Sequence, residues 1–162
     1  MTMHNTAIQP YVLQVAEGTA TWFLTNRMTV KASSESTGGG LTVIDVLAVP
    51  GGTAPWHVHH HEDEMFYLLE GDVVFKCGDE VFQAGPGAFV FLPRDIPHSY
   101  KNVGETAARW LILTIPAGSE GFFIEAGTPA IADGLRPQPL DPQRLGVVAA
   151  KYGLEILGPP PF

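Results

Sequence analysis

The sequence has little cysteine and few positive charges, and each shortage excludes classes of function. Cys77 is the single cysteine among 162 residues, which rules out a disulfide within the chain and a metal site built from several thiolates. Nine Lys and Arg face 17 Asp and Glu, so the formal net charge is −8 and nucleic-acid phosphates and anionic membrane surfaces are repelled. We therefore expect a cytoplasmic protein with no nucleic-acid and no membrane partner.

Long hydrophobic runs are also lacking. No apolar stretch approaches the roughly 18 residues that cross a bilayer, and residues 1–6 show no basic segment followed by an apolar one, so no secretory signal is predicted. What the chain does contain is 45% hydrophobic residues with 18 Gly and 14 Pro. This composition predicts one packed domain that is rich in turns and poor in long helices.

Short apolar segments separated by turn signals run from residue 11 to residue 115. They are three to seven residues long and, like strands, rich in β-branched or aromatic residues. They cover residues 22–24, 41–47, 65–69, 73–75, 88–92 and 110–115. Their spacing predicts an antiparallel sandwich or barrel. Near the C-terminus, Asp141 and Pro142 predict the start of a helix of about 12 residues that ends near Gly153. A shorter helix is expected over 117–126, then a loop over 127–140, with an irregular tail over 158–162.

Histidine is concentrated rather than scattered, because five of the six lie at 57–61 and 98. On a strand, His57 and His59 point to the same face, and a short turn brings Glu64 back towards them. Three imidazoles with one carboxylate suit one divalent transition metal ion, either Fe, Mn, Ni, Co, Cu or Zn, and leave coordination positions open for substrate. Taken singly, these residues are more typical of a solvated loop or of a hydrogen-bonded side chain. We interpret the rest of the turn, residues 60–63, as solvated.

Two sequence motifs contain these candidate ligands, and together they indicate a metal site more strongly than the single residues do. The first is Gly, five residues, His-x-His, four residues, Glu, six residues, Gly, and it is filled by Gly51, His57, His59, Glu64 and Gly71. The second is Gly, five residues, Pro-x-Gly, two residues, His, three residues, Asn. It is filled by Gly87, Pro93, His98 and Asn102, with Asp95 in the place of the second glycine. Asp tolerates left-handed backbone better than most residues, so the turn can survive this change.

Both motifs resemble those of the cupin superfamily, and further segments along most of the chain resemble small bacterial single-domain cupins of the quercetin 2,3-dioxygenase type. The resemblance implies an all-β double-stranded β-helix, a jelly-roll barrel, with short C-terminal helices. It implies one domain over 1–162, with its core at about 40–116 and a helical extension at about 117–162. It also implies that the metal ligands are His57, His59, Glu64 and His98.

The resemblance further implies a metal-dependent dioxygenase acting on a flavonol-like or other enolic small molecule. Glu64 would then be catalytic, taking the substrate's hydroxyl proton. Two alternatives stay open, because the fold does not fix the function. One is a small-ligand-binding module without catalysis, and the other is a sugar-related isomerase or epimerase, which the scarcity of Lys and Arg on the predicted cavity strands disfavours.

The strand that follows Glu64 has two apolar faces. Phe66 and Leu68 share the face of Glu64, while Met65, Tyr67 and Leu69 form the opposite face, which needs cover from outside the barrel. Cupins commonly dimerise, so we expect a homodimer. The alternative is that the chain's own N-terminal strands cover this face.

Overall fold

The structure is a computed structural model that describes residues 8–131, 136, 139 and 141–162. Two antiparallel sheets face each other. The seven-stranded sheet has the order β11-β1-β2-β3-β10-β5-β8, and its strands are β1 (Thr19–Phe23), β2 (Asn26–Ala32), β3 (Thr42–Ala48), β5 (Asp63–Glu70), β8 (Phe89–Leu92), β10 (Ala108–Ile115) and β11 (Thr128–Pro129). The five-stranded sheet has the order β12-β4-β9-β6-β7, and its strands are β4 (Trp56–His59), β6 (Val73–Cys77), β7 (Glu80–Ala84), β9 (His98–Asn102) and β12 (Leu154–Gly158).

Strict alternation of side chains builds the core between the sheets. Along β3 and β10 every second residue is buried, and β5 buries Glu64, Phe66 and Leu68 while its other side chains lie half-buried or exposed. A one-residue slip in register would turn Glu64 outwards, so the large buried side chains beside it hold it in place. The predicted strand faces and the all-β fold are confirmed.

Three helices complete the described chain: α1 (Ser34–Thr37), α2 (Glu120–Ala126) and α3 (Pro142–Lys151). As predicted, the carboxylate of Asp141 caps α3 by accepting from the backbone N–H groups of Gln143 and Arg144. The shorter helix expected over 117–126 is α2, which starts later, and Ser119 before it does not cap it, because its hydroxyl bonds Thr114 instead. Within the described residues, no helix is long or apolar enough to cross a membrane.

The C-terminal extension is not only helical. Residues 154–158 form β12, a strand that the sequence analysis did not predict, and Gly158, expected in the irregular tail, is its last residue. The predicted loop over 127–140 begins with the short strand β11, and residues 132–135, 137, 138 and 140 of it lie outside the described residues. Strand β12 pairs with β4, so the extension closes directly onto the strand that carries His57 and His59.

Candidate metal centre

Three strands and one tight turn bring the four predicted ligands together. His57 and His59 lie on β4, Glu64 on β5 and His98 at the start of β9, where it is the register partner of His57. All four side chains are buried, and one potential ligand atom from each lies within 4.8 Å of the others. The Nε2 atom of His98 is 3.0 Å and that of His59 is 3.7 Å from Oε2 of Glu64.

The turn before β9 aims His98. Asp95 has a φ of 63°, so it adopts the left-handed conformation that a glycine usually supplies at this motif position. Its backbone N–H donates to the carbonyl of His59 at 2.8 Å, which ties the turn to the end of β4. Arg94 adds two bonds of 3.1 Å to the carboxylate of Asp63, next to Glu64. The expectation that aspartate replaces the glycine without loss of the turn is confirmed.

Each histidine uses Nδ1 for a bond away from the centre. His57 Nδ1 bonds the carbonyl of Pro55 at 2.8 Å, and His98 Nδ1 bonds the carbonyl of Ile96 at 2.9 Å. His59 Nδ1 bonds Oε1 of Glu62 at 2.5 Å. Since carbonyls and carboxylates only accept hydrogen bonds, each Nδ1 carries a proton, so Nε2 is the nitrogen of each ring that is left to ligate a metal ion. By the same rule, Nε2 of His98 donates to Oε2 of Glu64 at 3.0 Å, and a bound metal ion would replace that proton.

The donor set therefore fits a metal ion. Three Nε2 atoms and one carboxylate oxygen converge in a buried space, and each can ligate a metal ion in its deprotonated form. Nitrogen with oxygen ligands is the donor chemistry of a borderline divalent cation. His57, His59, Glu64 and His98 could thus hold a metal ion, and their chemistry leaves several transition metals equally suitable.

The electrostatics keep two of the ligands, His57 and Glu64, in the form that a metal requires. Burial, with His98 and His59 nearby, lowers the pKa of His57 to about 3, so its imidazole is neutral. Burial acts to raise the pKa of Glu64, but His59 and His98 outweigh it and lower that pKa to about 2, so the carboxylate is charged. For His59, burial opposes Glu64 and Glu62, which together raise its pKa.

Glu62 corrects the interpretation of the turn after β4. We expected residues 60–63 to be solvated, and His60 and His61 are exposed, but Glu62 is buried with 3% of its surface exposed. Its carboxylate holds the ring of His59, as carboxylates often do behind a metal-ligating histidine. The three-residue separation from His59 was the available signal, but a loop sequence does not reveal which of its acids turns inwards.

An apolar cavity adjoins the cluster. Its volume is about 30 Å³, room for about two water molecules. His57 and Glu64 are in its lining, and helix α2 contributes Phe122 and Phe123 to it. Leu145 of α3 and the β12 side chains Leu154 and Ile156 line the cavity too; these positions could not be assigned from the sequence. A hydroxyl, that of Tyr100, is the remaining polar side-chain group in the lining.

Comparison with known proteins finds a family model that matches part of the chain. Residues 45–115 match the Cupin_2 family, a cupin domain. The crystal structure of a predicted oxalate decarboxylase from Thermotoga maritima has 23% sequence identity to the chain and superposes with a TM-score of 0.62, covering 65% of this chain and 99% of that one. A double-stranded β-helix protein from Klebsiella pneumoniae has 17% identity and a TM-score of 0.57, over 68% of this chain and 93% of that one. These likenesses support the jelly-roll fold predicted from the motifs.

Two curated relatives resemble the chain in sequence. Quercetin 2,3-dioxygenase from Bacillus subtilis is 28% identical over 120 residues, which are 74% of this chain and 35% of that enzyme. The polyketide synthase CurC from Streptomyces cyaneus is 27% identical over 108 residues, 62% of this chain and 70% of that protein. The chain thus spans only about a third of the length of the dioxygenase that it matches.

Proposed function

We propose that the chain is a metal-dependent dioxygenase of small enolic molecules, since residues 45–115 match a cupin domain and carry a complete cluster of potential metal ligands. The observation that carries the proposal is the buried group of three histidine Nε2 atoms and one carboxylate beside an apolar cavity. The similarity to the Bacillus subtilis quercetin 2,3-dioxygenase supports the reaction type. When bound, the metal ion supplies Lewis-acid activation and a template for substrate and dioxygen.

The chain's own residues prepare the substrate. Glu64 lines the cavity as well as the ligand cluster, so its carboxylate is placed to accept the proton of a substrate hydroxyl. The Nδ1 bonds of His57 and His98 to backbone carbonyls fix both rings, and Glu62 fixes that of His59. The apolar lining holds the carbon skeleton and excludes water from the reacting groups.

Metal loading followed by a flavonol assay tests the proposal. The metal-free protein is reconstituted separately with Fe, Ni, Mn or Co and given quercetin in air, and both oxygen uptake and loss of flavonol absorbance are recorded. We expect turnover with at least one metal and none after Glu64→Gln or His98→Ala. Glu155→Gln, which alters an exposed carboxylate bonded to His60, is the matched control. If no metal gives oxygen uptake or loss of flavonol absorbance, quercetin is excluded as a substrate.

The cavity lining bears on the two alternative functions. Of the described residues that line it, none is Lys or Arg, which disfavours an isomerase that must hold a sugar phosphate. A binding module without catalysis predicts saturable quercetin binding without oxygen uptake, so the same assay separates it from the dioxygenase.

We also propose that the chain forms a homodimer through the outer face of β5 and β8. Tyr67 is 43%, Phe89 61% and Phe91 51% exposed, and Tyr67 and Phe89 are register partners. Strands β1 and β2 extend the same sheet rather than crossing it, so the expected alternative cover from the N-terminal strands is not what the described residues show. A two-fold axis beside the edge strand β8 would bury this patch against its own copy.

A further inference from the structure

We propose that helix α3 is a lid that swings away from α2 when a ligand enters the cavity, and that Glu125 of α2 is the latch that holds it closed. The inference rests on the proposed function only in taking the cavity as the place that a small molecule reaches. It goes beyond that function by naming the element that moves and the residue that restrains it.

The cavity is too small for a ligand unless part of its wall moves. Its volume of about 30 Å³ holds about two water molecules, and the four candidate metal ligands are buried. An organic molecule that contains a ring needs several times that space. It therefore enters only after an element that separates the cavity from solvent has shifted.

Helix α3 is one such element, because it has one face towards the cavity and the other towards solvent. Leu145 lines the cavity and is 6% exposed, and Val148 and Ala149 are buried on the same face. Val147, on the other face, is 65% exposed. Helix α2 and strand β12 also have side chains both in the lining and in solvent. The question is which of the three is free to move.

Helix α2 and strand β12 are anchored to the two sheets. The buried carboxylate of Glu120, at the start of α2, accepts from the backbone and hydroxyl of Ser34 and from the hydroxyl of Thr42 on β3. Strand β12 is paired with β4 along its length. Displacing either element breaks several hydrogen bonds at once, which is costly.

Helix α3 lacks an anchor of this kind. Among the residues that the structure describes, the hydrogen bonds that join α3 and its C-cap residue Tyr152 to the helices or sheets all go to Glu125. Lys151 bonds one carboxylate oxygen, the Tyr152 hydroxyl donates to the other at 2.9 Å, and Arg144 donates to the backbone carbonyl at 3.1 Å. The Lys151 and Glu125 side chains are 55% and 37% exposed, and exposed ion pairs are weak. The latch can therefore open and close readily.

The contact between the lid and α2 is shaped for Tyr152. Gly121 lies four residues before Glu125, on the same face of α2, and a Cβ atom there would be 2.3 Å from Cε1 of Tyr152. The ring thus lies against bare backbone while its hydroxyl reaches the latch. Directly after it, Gly153 has a φ of 72°, and its carbonyl accepts from the backbone of His60 at 2.8 Å. This bond fixes the end about which α3 would turn.

Labelling of a cysteine inside the cavity tests the inference without metal or catalysis. Ile112 on β10 lines the cavity and is 1% exposed, whereas Ile44, its register partner on β3, is equally buried but is not in the lining. Cys77→Ser removes the single natural thiol. In that background, Ile112→Cys reports access to the cavity and Ile44→Cys reports unfolding of the core. The reagent is methyl methanethiosulfonate, which has few atoms and needs only a small opening.

We expect Glu125→Ala to speed the labelling of Ile112→Cys about threefold to tenfold and to leave that of Ile44→Cys unchanged. Glu105→Ala, which removes an exposed carboxylate elsewhere, is the matched control and should change neither rate. The inference is overturned if Glu125→Ala leaves the labelling of Ile112→Cys unchanged, speeds both positions equally, or acts no more strongly than Glu105→Ala.

Tyr152→Phe is a second, milder variant. It keeps the ring against Gly121 and removes only the bond to Glu125, so the labelling of Ile112→Cys should rise about twofold to fivefold. An unchanged rate in folded Tyr152→Phe would contradict the latch. Because labelling requires neither metal nor dioxygen, failure of the quercetin assay leaves this result intact, and quercetin turnover does not rescue the lid if the labelling rates do not respond.

Discussion

His57 and His98 stand directly opposite each other on β4 and β9, with ring centroids 4.6 Å apart. The two residues are 41 positions apart in sequence, and the register of the five-stranded sheet alone makes them neighbours. Both rings turn Nδ1 towards a backbone carbonyl two residues earlier, Pro55 for one and Ile96 for the other. This repeated arrangement sets two Nε2 atoms towards Glu64 before any ion is bound.

Glu62 should tune metal affinity through His59. Glu62→Ala removes the acceptor that orients the ring, and we expect the metal dissociation constant to rise about 10-fold to 100-fold. Glu62→Gln keeps an acceptor oxygen and should lose less metal affinity than Glu62→Ala. Affinity is measured by competition with a chromogenic chelator, and Glu155→Gln controls for surface charge. Unchanged metal affinity in Glu62→Ala would show that the bond from Glu62 is not needed to orient the His59 ring.

The apolar face of β5 and β8 should hold two copies together. Phe91→Glu places a charge in the middle of the patch, and we expect it to turn a dimer into a monomer. Light scattering after size-exclusion chromatography measures the mass. Val81→Glu, on the edge strand of the other sheet and 60% exposed, is the matched control and should leave the mass unchanged. A monomeric unaltered chain at micromolar concentration would argue against the interface.

Shortening a side chain of α3 that lines the cavity should enlarge the cavity and lower the stability of the fold. Leu145 is 6% exposed and lines the cavity from α3, so Leu145→Ala should lower the free energy of unfolding by about 2–5 kcal/mol. The same change should tighten the binding of 3-hydroxyflavone, because the cavity of about 30 Å³ has to widen around any flavonol, quercetin included, and a smaller side chain makes that widening easier. Urea unfolding and calorimetry measure the two effects.

Val147→Ala is the control for the cavity experiment. Val147 lies on the same helix and is 65% exposed, so the change should alter stability by less than about 0.5 kcal/mol and leave flavone affinity as it was. If Leu145→Ala binds 3-hydroxyflavone no better than Val147→Ala, α3 does not limit access to the cavity.

Glu120 should make stability depend on pH. Its carboxylate is buried beneath α1 and accepts from the backbone and hydroxyl of Ser34, from the hydroxyl of Thr42 and from the backbone of Gly118. Burial acts to raise the pKa of Glu120, but the bonds from Ser34 and Thr42 outweigh it and lower the pKa. A lowered pKa in the folded state means that the stabilisation is present above the unfolded pKa and is lost as pH falls through the folded pKa.

Glu120→Gln tests this dependence. At pH 7 the variant should be less stable by about 1–3 kcal/mol, and the difference from the unaltered chain should shrink as the pH falls below the unfolded pKa, about 4.3. Denaturant unfolding at pH 7 and at a pH below about 4.3 gives the free energies of unfolding. Glu105→Gln, which alters an exposed carboxylate, is the control. A difference that stays constant between the two pH values would contradict the lowered pKa.

Local patterns were sufficient to predict much of the fold. Alternation within β5 assigns Glu64 to the interior, and the Asp141-Pro142 pair marks the start of α3, because both signals act within a few residues. The left-handed turn at Asp95 was predictable for the same reason.

The parts that could not be predicted depend on distant pairing. Residues 154–158 become a strand only because β4 offers them a free edge nearly 100 positions earlier in the chain. The inward turn of Glu62 follows from the bond to His59 once β4 and β5 are in place, and the cavity lining draws on both sheets and on two helices. No local spacing encodes such contacts.

Elemental analysis of freshly purified protein tests most directly whether the four side chains hold a metal. The buried ligand cluster predicts about one transition metal ion per chain, and close to none in Glu64→Ala and His98→Ala that remain folded. Less than about a tenth of an equivalent of every transition metal in the unaltered chain, before and after reconstitution, would contradict the assignment of His57, His59, Glu64 and His98 as a metal centre.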